Sequence, residues 1–147
     1  MAATTGVEIR LLRRGDDAVL RRVAEGVFDN PVDPALTAEF LADPRHHMAV
    51  AIEAGVVVGF ASGVHYLHPD KPTELWVNEV AVAPSHHKRG VGKRVLAALL
   101  AEGRLKGAGQ AWVLTDRGNA AARALYGSCG GKDAEGDIVM PEFDLKG

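Results

Sequence analysis

Short runs of alternating and periodic apolar residues predict a chain that mixes strands and helices. Residues 7–12 (VEIRLL) alternate apolar and polar side chains with the two-residue period of a strand. Two β-rich runs, 47–53 and 56–66, flank an Ala-Gly pair, which predicts a hairpin. Residues 74–82 (ELWVNEVAV) predict a further strand. The first half of the chain should therefore supply most of a sheet.

Helical spacing is found in four segments. Asp16 is placed to cap a first helix, and Asp33 followed by Pro34 begins a second. From residue 90 to about 106 the apolar positions recur at three- and four-residue spacing, and 119–126 (NAAARALY) predict a short helix. The apolar residues that share one face in the first and third of these helices are Val19, Leu20, Val23 and Val27, and then Val91, Val95, Leu96, Leu99 and Leu100.

Two more strands complete the predicted order. Residues 111–115 (AWVLT) form one, and 137–145 (DIVMPEFDL) form the last, where Pro141 suits an edge or a bulge. The order is strand, two helices, three strands, helix, strand, helix, strand. Because there is no repeat, low-complexity tract or long linker, we expect one α/β domain over residues 1–147.

Composition narrows the class of protein. A chain of 147 residues with 47% apolar and 24% charged residues fits an ordinary globular domain. The net charge of −2 argues against bulk attraction to nucleic acid, and no apolar run approaches the roughly 20 residues of a membrane span. The first residues lack a signal-peptide pattern, and the single Cys129 cannot form an internal disulfide. We therefore expect a soluble cytoplasmic protein.

The junction between the 74–82 strand and the next helix carries a candidate anion site. A strand that leads into a glycine-rich turn and a helix presents several free backbone N–H groups, which attract phosphate. Two nucleotide-binding patterns fail here on spacing. A P-loop needs Ser or Thr where Arg94 stands and Gly where His87 stands, and a dinucleotide fingerprint needs a small residue where Val95 stands.

A third pattern does fit. Residues 87–92 (HKRGVG) resemble the Gln/Arg-x-x-Gly-x-Gly/Ala signature of the GCN5-related N-acetyltransferases (GNAT), which bind the pyrophosphate of acetyl-CoA. His87 stands where the family usually has Gln or Arg, which removes one side-chain donor. Residues 119–126 also resemble the family's Asn-x-x-Ala-x-x-Leu/Phe-Tyr helix, although a Gly-Gly pair at 130–131 replaces the usual Gly-Phe.

The resemblance covers nearly the whole chain and implies the GNAT fold, a mixed and largely antiparallel sheet flanked by helices. It also implies acetyl-CoA as acetyl donor and no metal. Pantetheine, which carries amides, would pair with the 80–82 edge as an extra strand does. The residues implied to bind acetyl-CoA are Val80, Ala81, Val82, His87, Lys88, Arg89, Gly90, Val91, Gly92, Lys93, Asn119 and Tyr126.

Acetyl transfer to an amine sets further requirements. An amine with a pKa near 10 is mostly protonated at neutral pH and must lose a proton before it attacks a thioester. Glu79 occupies the strand position where many family members have an acid, although it also fits a solvent-facing strand glutamate. The resemblance places the Val82 N–H against the thioester oxygen. Tyr126 is the candidate proton donor to the leaving thiolate, and its alternative role is helix packing.

Other reactive residues have plainer interpretations. Cys129 is typical of a small buried apolar residue rather than a nucleophile. The pairs 46–47 and 86–87 are histidines without metal-ligand spacing, so we expect surface residues. Trp76 and Trp112 are interpreted as strand core or as a pocket wall.

Charge suggests the kind of acceptor. Residues 84–94 contain four basic residues and no acid, whereas 16–43 contain seven acids and two arginines. In the GNAT family this acidic region overhangs the acceptor, although solvated helix faces explain it equally well. The C-terminal 137–145 run and residues 27–28 also resemble, more loosely, the aminoglycoside 3-N-acetyltransferases. The implied acceptor-binding residues are Asp29, Asp33, Glu79 and Asp144.

These observations predict an acetyl-CoA-dependent N-acetyltransferase that acts directly on a primary amine of a small molecule, with an aminoglycoside or another small polycation as the leading acceptor. Protein N-termini, lysines, polyamines and small metabolites are alternative acceptors, since fold does not choose among them. An acetyl-CoA-binding regulatory module without transfer activity is an alternative of another class. A homodimer is compatible with the sequence.

Overall fold

A computed structural model describes residues 6–147, and it contains a five-stranded sheet in the order β1-β2-β3-β4-β5. The first four strands are antiparallel to their neighbours, and β5 runs parallel to β4. The predicted mixed, largely antiparallel sheet is thereby confirmed. The strands are β1 (Val7–Leu11), β2 (His46–Glu53), β3 (Val56–Tyr66), β4 (Glu74–Val82) and β5 (Gln110–Trp112).

Three α-helices flank the sheet, and two of them begin with a capping side chain. Asp33 accepts a hydrogen bond from the Leu36 N–H at 2.9 Å, and Asn119 accepts one from the Ala122 N–H at 3.0 Å. Such caps satisfy amides that have no partner within the helix. The helices are α1 (Pro34–Ala42), α2 (Val91–Leu105) and α3 (Ala120–Ser128), and short 3₁₀ turns span Asp16–Arg21 and Pro84–His86. No helix within residues 6–147 combines the length and apolarity that crossing a bilayer requires.

The core lies mainly between α2 and the sheet. Val95 and Leu99 on α2 and Leu75 on the sheet are almost fully buried. The opposite face of the sheet is covered by the 16–42 region, where Phe28 stacks on Phe60 with ring centroids 4.2 Å apart. Burial of side chains of this size contributes roughly 1.5–3 kcal/mol each, so the sheet is anchored on both faces.

The predicted first helix is wrong as an α-helix. Residues 16–21 form one 3₁₀ turn that begins after Gly15 in the left-handed conformation, and Asp16 accepts a hydrogen bond from the Arg13 N–H instead of capping a helix. Val23 then forms a parallel bridge to Val57 on β3. Val57 lies at the start of β3, before the part of that strand that pairs with β4. Pairing of Val23 at this point ends the helical path that the apolar spacing indicated.

The predicted last strand is also wrong. Residues 137–145 form no strand, and their large apolar side chains are exposed. Strand 111–115 is shorter than expected, since β5 ends at Trp112. Alternating apolar and polar residues indicate that a segment can form a strand. A strand also needs a neighbouring strand to complete its backbone hydrogen bonds, which the alternation does not provide.

Two of the four histidines predicted at the surface are buried. His47 lies with Nε2 2.7 Å from His65 Nδ1, and burial, then the charge of His65, lowers the pKa of His47 to about 4. His86 Nε2 lies 2.6 Å from a Glu53 carboxylate oxygen. The prediction failed because the ring nitrogens of His47 and His86 lie against side chains that are far away in the sequence. Within residues 6–147, no group of three or more potential metal ligands is assembled.

Candidate active site

The turn between β4 and α2 presents free backbone amides to solvent. Lys88 and Gly90 adopt positive φ angles of 61° and 77°. Helix α2 begins at Val91 without a side-chain cap. The first N–H groups of a helix have no intrahelical acceptor and carry the positive end of its dipole. Amides in this arrangement can donate hydrogen bonds to an anion.

His87, which departs from the family signature, contacts the end of β4. Its Nε2 lies 2.8 Å from the Val82 carbonyl oxygen. A carbonyl only accepts, so this ring nitrogen carries the hydrogen and donates it. That nitrogen ties the turn to the strand and is not directed at an anion.

The edge of β4 that faces β5 is unpaired along most of its length. Register pairs join β4 to β5 only from Glu74 to Trp76. The Ala83 N–H donates to the Val58 carbonyl on β3 at 2.8 Å, and successive amides of a strand point in opposite directions. The Val82 N–H therefore points away from β3, into the gap between β4 and β5. The two strands therefore separate after Trp76.

A bulge in β4 decides which side chains share a face. The register of β3 against β4 skips Asn78. Leu75 and Val82 both face α2, since each lies against a glycine of that helix. They are an odd number of residues apart, which requires one extra residue between them. Glu79 consequently lies on the opposite face, toward the 16–42 region.

Glu79, Asp29 and Asp33 line one cleft of about 240 Å³ between β4 and α1. A larger cavity of about 680 Å³ shares the 28–32 wall but does not include Glu79. Glu79 is exposed to solvent. Partial desolvation, and then the negative charge of Asp29, nevertheless raise the pKa of Glu79 above its ordinary value of 4.5. A carboxylate with a raised pKa is a better proton acceptor. Of the two cavities, the cleft that contains Glu79 is therefore the one with a candidate proton acceptor.

Tyr126 lies half-buried on α3, and burial raises the pKa of its phenol above 10. The phenol is therefore protonated across the neutral range. Leu125 of α3 packs over Gly92, where an added Cβ would lie 3.4 Å from a Leu125 methyl carbon, an ordinary contact distance. Packing of Leu125 at this point therefore places α3 beside the start of α2.

The remaining predicted residues lie apart from the cleft or have structural contacts. Lys88, Arg89 and Lys93 are exposed around the turn, and an Arg89 guanidinium nitrogen lies 3.8 Å from Glu53. Asp144 lies in the C-terminal segment, where it accepts a hydrogen bond from the Lys146 N–H, and it does not line the cleft.

One aromatic feature on the cleft side was left undecided by the sequence. Trp76 stacks on Trp112 with ring centroids 5.4 Å apart and an interplanar angle of 11°, and Trp76 is 40% exposed. The sequence signal for this feature was an aromatic side chain close to a strand glutamate. Whether Trp76 and Trp112 lie in the core or in the wall of a pocket depends on the register between β4 and β5, which the sequence does not show.

A helix N-terminus that opens beside a split in the sheet, with a carboxylate across the strand, is suited to an enzyme that takes a group from a phosphate-bearing donor. The sequence profile described as the acetyltransferase (GNAT) family matches residues 18–130. The chain belongs to this family, and it is an acyltransferase. Members of the family use acetyl-CoA.

Curated relatives have varied acceptors. The chain is 34% identical to the N-alpha-acetyltransferase RimI of Mycobacterium tuberculosis over 131 residues, which is 88% of this chain and 80% of that protein. It is 43% identical to the L-2,4-diaminobutyric acid acetyltransferase of Virgibacillus pantothenticus over 51 residues, 35% of this chain and 31% of that protein.

Solved structures share the fold. An aminoglycoside acetyltransferase from an uncultured soil metagenomic sample, in complex with trehalose, gives a TM-score of 0.79 at 20% identity and covers 97% of this chain and 99% of its own. The aminoglycoside N-acetyltransferase AAC(6')-Iy in complex with CoA gives 0.74 at 22% identity, with 92% and 94% coverage. These likenesses establish the fold and do not select an acceptor.

Proposed function

We propose that the protein transfers the acetyl group of acetyl-CoA to a primary amine of a small polycation, with an aminoglycoside as the leading acceptor. The observation that carries this proposal is the cleft in which Asp29, Asp33 and Glu79 lie together. Several carboxylates in one cleft match several ammonium groups, whereas a single amine would need fewer.

The donor side fits acetyl-CoA in two respects. The uncapped start of α2 offers amides to the pyrophosphate, and the unpaired edge of β4 offers hydrogen bonds to the pantetheine amides. We assign the pyrophosphate contacts to residues 88–93 and the pantetheine contacts to residues 80–82. The predicted contact of His87 is left out, because its N–H donates to the Pro84 carbonyl and its ring to the Val82 carbonyl. Asn119 contributes indirectly, through its cap on α3.

Acetyl-CoA supplies an activated acyl group, and the residues of the chain handle protons and charge. Glu79, directly or through water, accepts the proton from the acceptor's ammonium group, so that the neutral amine can attack the thioester carbon. The Val82 N–H stabilises the negative charge that develops on the thioester oxygen. As the C–S bond breaks, Tyr126 donates a hydrogen bond or a proton to the departing sulfur. The second proton of the attacking nitrogen replaces the one that Tyr126 gives up, or passes directly to the thiolate. The products are an N-acetylated amine and CoA thiol.

The comparisons support more than one acceptor. A diaminobutyric acid acetyltransferase and two aminoglycoside acetyltransferases favour small amines. The 6' position in one of these names differs from the 3-N branch that the sequence resembles, so the position of acetylation stays open. The second candidate is the α-amine of a protein N-terminus, because RimI is the relative with which this chain shares 34% identity over most of its length.

An amine panel tests the proposal. Thiol release from acetyl-CoA would be measured with kanamycin, sisomicin, spermidine and short peptides with free N-termini. We expect turnover of the polycations. Their KM should rise steeply from about 0.05 to 0.5 M ionic strength, because the Debye length falls from roughly 14 to 4 Å. Turnover limited to peptides, with a KM that salt barely changes, would refute the polycation and favour the second candidate.

We also propose a cytoplasmic homodimer. The exposed apolar side chains of residues 137–145 and the edge of β5 that faces away from β4 support pairing between two copies. Sedimentation equilibrium should give twice the chain mass, and a chain that ends at Gly136 should give the monomer mass. A monomer for the full chain at micromolar concentration would refute the dimer.

A further inference from the structure

We propose that the stacked indoles of Trp76 and Trp112 form an acceptor subsite that binds the apolar face of a ring-bearing polycation beside Glu79. The inference rests on the proposed function and adds the shape of the acceptor to it. The subsite would take a saturated ring, such as a sugar or a cyclitol, that carries ammonium groups on its rim.

The register places both indoles on the cleft side of the sheet. Leu75 faces α2, so Trp76, the next residue along β4, faces the other way. Trp112 is the partner of Trp76 in the parallel ladder, so the two side chains project from the same face. Because of the bulge at Asn78, Glu79 projects from this face as well. Trp76 and Glu79 are therefore about 7–10 Å apart along the strand.

A chain of hydrogen bonds fixes the orientation of the inner indole. Trp112 Nε1 donates to the Tyr66 hydroxyl oxygen at 2.5 Å, and that hydroxyl donates to a Glu74 carboxylate oxygen at 2.9 Å. His68 packs edge-on against Tyr66, with centroids 5.1 Å apart. An exposed aromatic ring that is held in place loses little conformational freedom when a ligand binds.

Carboxylates flank the aromatic surface along β4. Glu74 and Glu79 lie on the same face as Trp76, on either side of it. The Glu79 cleft adds Asp29 and Asp33. A flat aromatic face between negative charges attracts a cation by its ring quadrupole and by the neighbouring carboxylates together. This charge pattern favours a cationic ring over a neutral sugar or an apolar peptide side chain.

The chain provides its own reporter, because Trp76 and Trp112 are its two tryptophans. Sisomicin titrated into the protein, without acetyl-CoA, should change tryptophan emission along a saturable curve. Its midpoint should agree with the KM for sisomicin within about threefold. The same titration with trehalose, a neutral sugar, should leave the emission unchanged at equal concentration. Emission that does not respond to saturating sisomicin would overturn the subsite.

Kinetics separate the subsite from a structural role. Trp76→Ala should raise the KM for sisomicin roughly tenfold and change kcat by less than about twofold, since cation–aromatic contact acts in the ground state and the transition state alike. Trp76→Phe should restore most of the affinity. For spermidine, which has no ring face, the KM should rise less than about threefold. Calorimetry should show an unchanged Kd for acetyl-CoA in both variants.

Leu105→Ala is the matched control, because Leu105 is an exposed apolar side chain at the end of α2, away from the acceptor face. It should leave the KM for sisomicin unchanged. Sisomicin that is acetylated with the same KM by Trp76→Ala as by the parent would overturn the subsite and leave the proposed function intact. No turnover of any polycation would overturn both.

Discussion

In the proposed function, the two sides of β4 bind by different means. On the donor side the proposed groups are backbone amides: the turn at residues 88–92, the start of α2 and the unpaired edge at Val82. On the acceptor side they are side chains that come from separate segments, namely Glu79 on β4 and Asp29 and Asp33 ahead of α1. Backbone sites depend on local conformation, whereas side-chain sites depend on which segments meet.

This difference explains why the donor-side residues match a family signature, whereas the acceptor-side residues do not identify the acceptor. A pyrophosphate site needs glycines at set positions within a few residues of each other. An acceptor site can be changed by single substitutions that leave the fold intact. Variants should therefore separate into those that alter acetyl-CoA binding and those that alter use of the amine.

The largest effect is expected for Glu79→Gln. Loss of a general base should lower kcat/KM for the amine by about 10²-fold or more at pH 7. Recovery is expected toward pH 9, where more of the amine is already deprotonated. The raised pKa of Glu79 places the acidic limb of the parent profile above pH 4.5, and this limb should disappear in the variant. A variant that keeps the parental rate from pH 6 to 9 would remove Glu79 from the mechanism.

Tyr126→Phe should give the next largest effect. We expect kcat to fall roughly 10- to 100-fold with little change in the affinity for acetyl-CoA, because the phenol acts on the leaving sulfur in the transition state. Cys129→Ala, a change to another half-buried side chain at the end of α3, should leave kcat unchanged. If Cys129→Ala lost activity and Tyr126→Phe kept it, the two assignments would have to be exchanged.

On the donor side, Gly90→Ala should weaken CoA binding by about fivefold, because a Cβ at a φ of 77° costs on the order of 1 kcal/mol and distorts the turn. Gly107→Ala is the control: Gly107 also has a positive φ, and a Cβ at either glycine meets no heavy atom within 4 Å. Both variants should melt at lower temperature, but only Gly90→Ala should change the Kd measured by calorimetry. Equal CoA affinity in the two variants would contradict the backbone site.

The smallest effect is expected for Asp29→Asn, and it should be limited to the acceptor side. The KM for a polycation should rise by roughly two- to fivefold, and the Kd for CoA should stay the same. Since Asp29 raises the pKa of Glu79, its neutralisation should move the acidic limb of the rate profile to lower pH. Asp17→Asn, in the neighbouring cavity, should shift neither quantity. A limb that moves to higher pH would exclude this coupling.

Local signals predicted the elements that depend on neighbouring residues. The hairpin at the Ala-Gly pair, the Asp33 cap and the 91–105 helix all follow from residues within one or two turns of each other. The predictions for 16–21 and 137–145 were wrong. In both segments the structure depends on whether a distant strand pairs with them. Val23 forms a bridge to Val57, whereas no strand within residues 6–147 pairs with the C-terminal run.

By itself, the sequence determined the family, the class of fold and the turn that we propose for the acetyl donor, because glycine spacing and apolar periodicity act over short distances. Only the tertiary structure decided that a bulge at Asn78 turns Glu79 toward Asp29, that the β4 edge opens after Trp76, and that two tryptophans 36 positions apart stack beside the cleft. The physical reason is that strand register sets which face of the sheet a side chain lies on and which residues pair. Register is a relation between segments, which a linear pattern does not contain.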